Sequence, residues 1–87
     1  MAKRKKQTRK KFDKETEKHL KQLGARLQQL RLKKGFASYE VFAYEHDLNR
    51  TQYGAYENGR NIQYDTLLKL VKTFGLTMKE FFSEGFD

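Results

Sequence analysis

The sequence predicts an all-α domain, compact and built from five short helices behind a basic N-terminal arm. Three observations predict it. Apolar residues recur at three- and four-residue steps almost throughout residues 14–82. No run of alternating apolar and polar residues is long enough for a strand. Proline is absent, so glycines and capping residues supply the punctuation, and they fall close enough together to cut the pattern into short pieces.

The first helix spans about residues 14–34. Leu20, Leu23, Leu27 and Leu30 form one stripe on it, Lys33 and Lys34 sit favourably in its last turn, and Gly35 ends it. Ser38 is a suitable N-cap for a second helix running to about His46, with Tyr39, Phe42, Ala43 and His46 on one face. After Asp47 and Leu48, Asn49 caps a third helix, with Gln52 three positions on in the manner of a capping box. Asn58-Gly59 closes that helix through a left-handed cap. Leu67, Leu70, Val71 and Phe74 give the core face of a fourth helix over about 64–74, which Gly75 stops. Thr77-Met78-Lys79-Glu80 then opens a last short helix carrying Phe81 and Phe82. Two helices joined by a turn of about three residues have helix-turn-helix geometry.

Eighty-seven residues suffice for one domain with one modest core. We divide the chain into a flexible arm, residues 1–13, and a folded domain, residues 14–87. The arm is expected to be disordered when unbound. Lys3, Arg4, Lys5, Lys6, Arg9, Lys10 and Lys11 place seven of the net eight positive charges there with no acid among them. The remainder of the chain is nearly neutral. Such an arm attracts polyanions by phosphate contact and counterion release, and nucleic acid suits it better than a membrane, since no apolar helical face accompanies the charge. No stretch approaches the ~20 apolar residues that span a bilayer. The absence of cysteine excludes disulfides and thiolate metal sites and agrees with a cytoplasmic protein.

An enzyme needs a nucleophile, an acid–base pair or a metal cage. His19 and His46 are the only histidines, and no carboxylate cluster lies at metal-ligand spacing. His19 is expected at the solvated edge of the first helix and His46 partly buried near the turn. No catalysis, metal, cofactor or small-molecule ligand is expected.

The segment LNRTQYGAYENGR (48–60) resembles the recognition helix and exit turn of the λ-repressor-like, Xre/Cro family of DNA-binding domains. LGARLQQLRLKKG (23–35) is similar to that family's first helix, Ser38 to Leu48 to its second helix and turn, and TLLKLVKTFGLTMKEFF (66–82) to its fourth helix and closing turn. Four blocks in the right order cover residues 20–82. The resemblance implies a five-helix domain that inserts its third helix into the major groove of double-stranded DNA, usually as a homodimer on a palindromic operator. There are four departures. An extra residue lies within Gly35-Phe36-Ala37, Asp47 stands where the family favours a turn glycine, Tyr39 replaces a common phosphate-contacting glutamine, and no proline follows the recognition helix. Asp47 tolerates the left-handed conformation better than most residues.

A recognition helix reads bases from its exposed N-terminal side chains. Arg50, Thr51 and Ala55 are the candidate base readers. Arg50 can bond the O6 and N7 of a guanine together, Thr51 can meet a thymine methyl or a base edge, and Ala55 offers apolar contact. Tyr39, Asn49, Gln52, Asn58 and Arg60 are the candidate backbone contacts. Tyr64 is placed either on a phosphate or partly in the core. Tyr53, Tyr56 and Leu48 are expected to face inward. A glycine inside a short helix costs roughly 1 kcal/mol against alanine. Gly54 therefore marks either close approach to DNA or to the second helix, or a tolerated substitution. The resemblance implies a structural ion pair between Arg31 and Glu57. Phe81, Phe82 and Phe86 crowd a short C-terminal segment, and a dimer surface would use what a small core leaves over. Other roles for the same fold are an antitoxin, a controller of a restriction–modification operon, or a protein-interaction module that no longer binds DNA.

Overall fold

A computed structural model describes residues 12–87. It contains α1 (Lys14–Lys33), α2 (Tyr39–Glu45), α3 (Arg50–Glu57), α4 (Tyr64–Thr73) and α5 (Met78–Phe81), with no strand among the described residues. The expected helices are all present and in order. The cationic residues of the arm, Lys3, Arg4, Lys5, Lys6, Arg9, Lys10 and Lys11, lie outside the described residues.

Four of the five helices start on a side-chain cap. The Asp13 carboxylate accepts from the Thr16 backbone N–H at 2.8 Å, and Ser38 accepts from Val41 at 3.2 Å. Asn49 accepts from Gln52 at 2.9 Å. Thr77 and Glu80 complete a reciprocal capping box, with bonds of 3.1 and 2.8 Å. Each bond satisfies a backbone donor that the first helical turn cannot use. Asn49 and Gln52 make only half of the expected box, so the Gln52 side chain is left exposed.

The turn between α2 and α3 closes by two bonds. Leu48 N–H reaches the Ala43 carbonyl at 2.8 Å and Asp47 N–H reaches that of Tyr44 at 3.3 Å. This closure needs a left-handed residue, and Asp47 supplies it at φ 62°.

The core comprises Leu27 and Leu30 of α1, Phe42 and Ala43 of α2, Tyr53 of α3, Leu67, Leu70 and Val71 of α4, and Phe81 of α5. Phe42 is its hub. Its ring lies 5.1 Å from Tyr53, 5.3 Å from Phe36 and 5.3 Å from Phe74, which stacks on it nearly parallel. His46 packs 4.3 Å from the same ring, and its Nδ1 lies 2.8 Å from the Phe42 carbonyl oxygen. One aromatic side chain thus joins the second, third and fourth helices, and so fixes the angle at which α3 leaves the turn.

Two glycines record close helix approach. A Cβ at Gly24 would stand 2.7 Å from the Tyr56 carbonyl oxygen and closer still to that of Glu57, so α1 meets α3 through bare backbone. A Cβ at Gly54 would strike the Tyr39 ring, 2.8 Å from Cζ. Of the readings open for Gly54, approach to the second helix is the one the packing supports.

The C-terminal segment corrects one expectation. Phe81 is fully buried, so it belongs to the core and contributes nothing to a surface. Its ring sits under the Arg26 guanidinium, 5.6 Å away, and 4.9 Å from Phe82. Phe82 remains 42% exposed and Phe86 is half-buried against it, 4.8 Å between ring centres.

Candidate DNA interface

The third helix has an exposed N-terminal end and a buried C-terminal half. Asn49, Arg50, Thr51 and Gln52 are exposed, whereas Tyr53 and Gly54 are buried and Ala55 through Glu57 are half-buried. Arg50 makes no hydrogen bond or ion pair among the described residues, so its guanidinium fork is available to a ligand. Ala55 lies one turn further, beside the exit loop Asn58–Asn61. The three candidate base readers and Gln52 therefore lie on one short element, graded from fully exposed to half-buried.

The candidate backbone contacts sit around that element. Tyr39, at the start of α2, is 38% exposed with its ring against Gly54. Asn58 is exposed, but its side-chain amide donates to the Gly54 carbonyl at 3.0 Å, which leaves its carbonyl oxygen and one amide hydrogen uncommitted. Arg60 is exposed on the loop, and its backbone N–H closes α3 on the Ala55 carbonyl at 3.0 Å. Tyr64 is 66% exposed, which removes the core role considered for it.

The C-terminal end of α3 is held from behind by a buried ion pair. Arg31 donates through Nε and Nη2 to the two carboxylate oxygens of Glu57, at 2.9 and 2.8 Å. The two side chains are only 5% and 7% exposed. The remaining fork of Arg31 donates to the Phe36 and Ala37 carbonyls at 2.9 and 2.8 Å. One arginine therefore ties together α1, the loop leading to α2, and the last residue of α3. The hydrogen bonds that it donates to Glu57 hold the guanidinium above its ordinary pKa. Burial, followed by the influence of the Glu57 carboxylate, raises the Tyr53 phenol far above its own. The Tyr53 hydroxyl is buried without a hydrogen-bond partner.

Sequence reasoning missed Arg26. It is 6% exposed, donating from Nε to the Phe81 carbonyl at 2.6 Å and from Nη2 to that of Glu80 at 2.9 Å. Its Nη1 reaches Gln29 at 2.7 Å and the Glu84 carboxylate at 3.3 Å. The only signal was its position within the apolar stripe of α1, between Leu23 and Leu27. An arginine there must either snorkel outward or find partners inside.

Among the described residues no three His, Asp or Glu side chains gather as a metal site, and no helix is long and apolar enough to cross a membrane.

Comparison with known proteins agrees with this geometry. Residues 24–84 match the model of a family described as a helix-turn-helix domain. The chain is 42% identical over 62 residues to the control protein C.MunI from Mycoplasma sp, covering 70% of this chain and 84% of that protein. It is 38% identical over 58 residues to the control protein C.BamHI from Bacillus amyloliquefaciens, covering 66% and 72%. No solved structure matches. An exposed polar helix end held on a helix-turn-helix frame, with control proteins as relatives, leads to one assignment: the chain belongs to the helix-turn-helix domain family, in its repressor-like branch, and is a DNA-binding transcriptional regulator.

Proposed function

We propose that a homodimer of this chain reads a palindromic operator through the exposed end of α3. Arg50 takes a guanine, Thr51 a thymine methyl or base edge, and Ala55 makes apolar contact one turn later. Asn49, Gln52, Asn58, Arg60 and Tyr39 hold phosphates on either side and so fix the register of the helix in the groove. The observation that carries this reading is the uncommitted Arg50 fork, at the N-terminal end of a helix whose other end is locked by Arg31 and Glu57.

One recognition helix reads only a few base pairs, and a second copy one DNA turn away supplies the rest. Phe82 and Phe86 offer apolar surface for pairing the two copies. The cations of the N-terminal segment, Lys3, Arg4, Lys5, Lys6, Arg9, Lys10 and Lys11, add sequence-independent affinity. The relatives favour a control role of the kind exerted on a restriction–modification operon over an antitoxin role. We place the protein in the cytoplasm and assign it no catalytic step.

Selection of bound sequences from a random duplex pool tests this reading. A palindromic motif is expected from the unmodified protein, with a guanine preference that disappears in Arg50→Ala. Recovery of no motif, with weak binding that vanishes as salt rises, would overturn it.

A further inference from the structure

The family match begins at residue 24, yet α1 begins at Lys14. Ten helical residues, about 15 Å at 1.5 Å per residue, therefore precede the shared domain. Lys14, Lys18 and Lys21 follow one another at steps of four and three. At 100° per residue they fall within an arc of about 60°, a single stripe along the extension. All three are exposed.

The stripe meets the rest of the molecule at its last lysine. Lys21 lies against the exit of α3, where a Cβ at Gly59 would stand 3.3 Å from Lys21 Cγ and 3.8 Å from its Cα. Lys21, Leu20 and Phe12 face Ala55, Asn58, Arg60 and Asn61 across an open cleft. The extension thus passes beside the loop that carries the proposed phosphate contacts of α3. Phe12 lines the same cleft. Among the described residues, Glu17 is the one acidic side chain on the cleft wall.

We propose that Lys14, Lys18 and Lys21, with Arg60, form a second DNA-binding surface that tracks the phosphate backbone flanking each half-site. Two features favour duplex DNA as the occupant: the like charge of the stripe, and the contact of its last lysine with the exit loop of α3. The inference rests on the DNA-reading assignment above and extends it to base pairs that α3 does not touch.

The test uses the full chain and a Lys14→Gln/Lys18→Gln/Lys21→Gln variant, titrated at several salt concentrations. Two duplexes are compared: the selected motif alone, and the motif with about ten further base pairs on each side, roughly one DNA turn. The unmodified protein is expected to bind the flanked duplex more tightly. The triple variant is expected to lose that gain and to show a salt slope lower by about 0.9 for each lysine that meets a phosphate. Its base preference and melting temperature should not change. Glu17→Gln, which removes the opposing charge, should enlarge the gain. A wild-type protein indifferent to flanks, or a triple variant that keeps both the gain and the slope, would overturn the second surface while the motif still stands. Failure to recover any motif would instead strike the reading on which it rests.

Discussion

Two arginines five residues apart on α1 hold two different regions of the molecule, and they do so by different chemistry. Arg31 secures the C-terminal end of α3, and its charge is met by a carboxylate as deeply buried as itself. Arg26 secures the C-terminal turn mainly through neutral partners, the carbonyls of Glu80 and Phe81 and the Gln29 amide oxygen, while its carboxylate partner Glu84 is 51% exposed. A buried ion pair is costly to break because the partner left behind is an uncompensated charge. Carbonyls of a four-residue helix followed by exposed residues regain water more readily. The contrast makes the α1–α3 joint the stiffer one, with a stiffness that depends on both partners together.

The largest expected effect comes from breaking the stiffer joint. Glu57→Ala strands Arg31 and should destabilise the fold by about 3–5 kcal/mol, measured by denaturant unfolding. A loss below about 1 kcal/mol would place the pair among ordinary surface bridges. Arg26→Ala removes charge-assisted bonds to two carbonyls and should cost about 2 kcal/mol. A cost equal to that of Glu57→Ala would erase the distinction between the joints.

Asn49→Ala removes the cap at the exposed end of α3 and should cost about 1 kcal/mol. It should weaken DNA binding by more than that loss of stability explains, because the same side chain is proposed to hold phosphate. The smallest effect is expected from Tyr53→Phe, which deletes a buried hydroxyl that has no partner and should be neutral or slightly stabilising. The buried phenol has its pKa raised from 10.0, so stability is full below pH 10 on its account and falls as pH rises beyond it. Unfolding monitored against pH should show this alkaline fall reduced in the phenylalanine variant.

Local signals made the five helices legible. Ser38, Asn49 and Thr77 cap where capping chemistry places them, and Asp47 adopts the left-handed turn conformation that a short polar side chain tolerates. The partnership of Arg31 with Glu57 came from resemblance, since 26 residues separate them and nothing local links them. What stayed hidden depends on how helices cross. Gly24 looks like a weak position in an apolar stripe until α3 is laid against it. Gly54 gains its reason only beside Tyr39. Phe81 was grouped with Phe82 and Phe86 because composition cannot separate three neighbouring phenylalanines. The fold separates them through the short α5 helix, which turns Phe81 inward beneath Arg26 and leaves Phe82 42% exposed. Within the reading site, sequence spacing indicated the exposed residues of α3 but not that the Asn58 amide is partly spent on the Gly54 carbonyl.

On the proposed reading, α3 meets DNA at its exposed end while the Arg31–Glu57 pair holds it in place from behind. The most direct test titrates the unmodified protein and Arg50→Ala against the selected site and against each of its single-base-pair variants. Replacing one particular G·C pair should cost the unmodified protein about 1–3 kcal/mol and Arg50→Ala almost nothing, with equal melting temperatures for the two proteins. An Arg50→Ala protein that still discriminates at that base pair would contradict it.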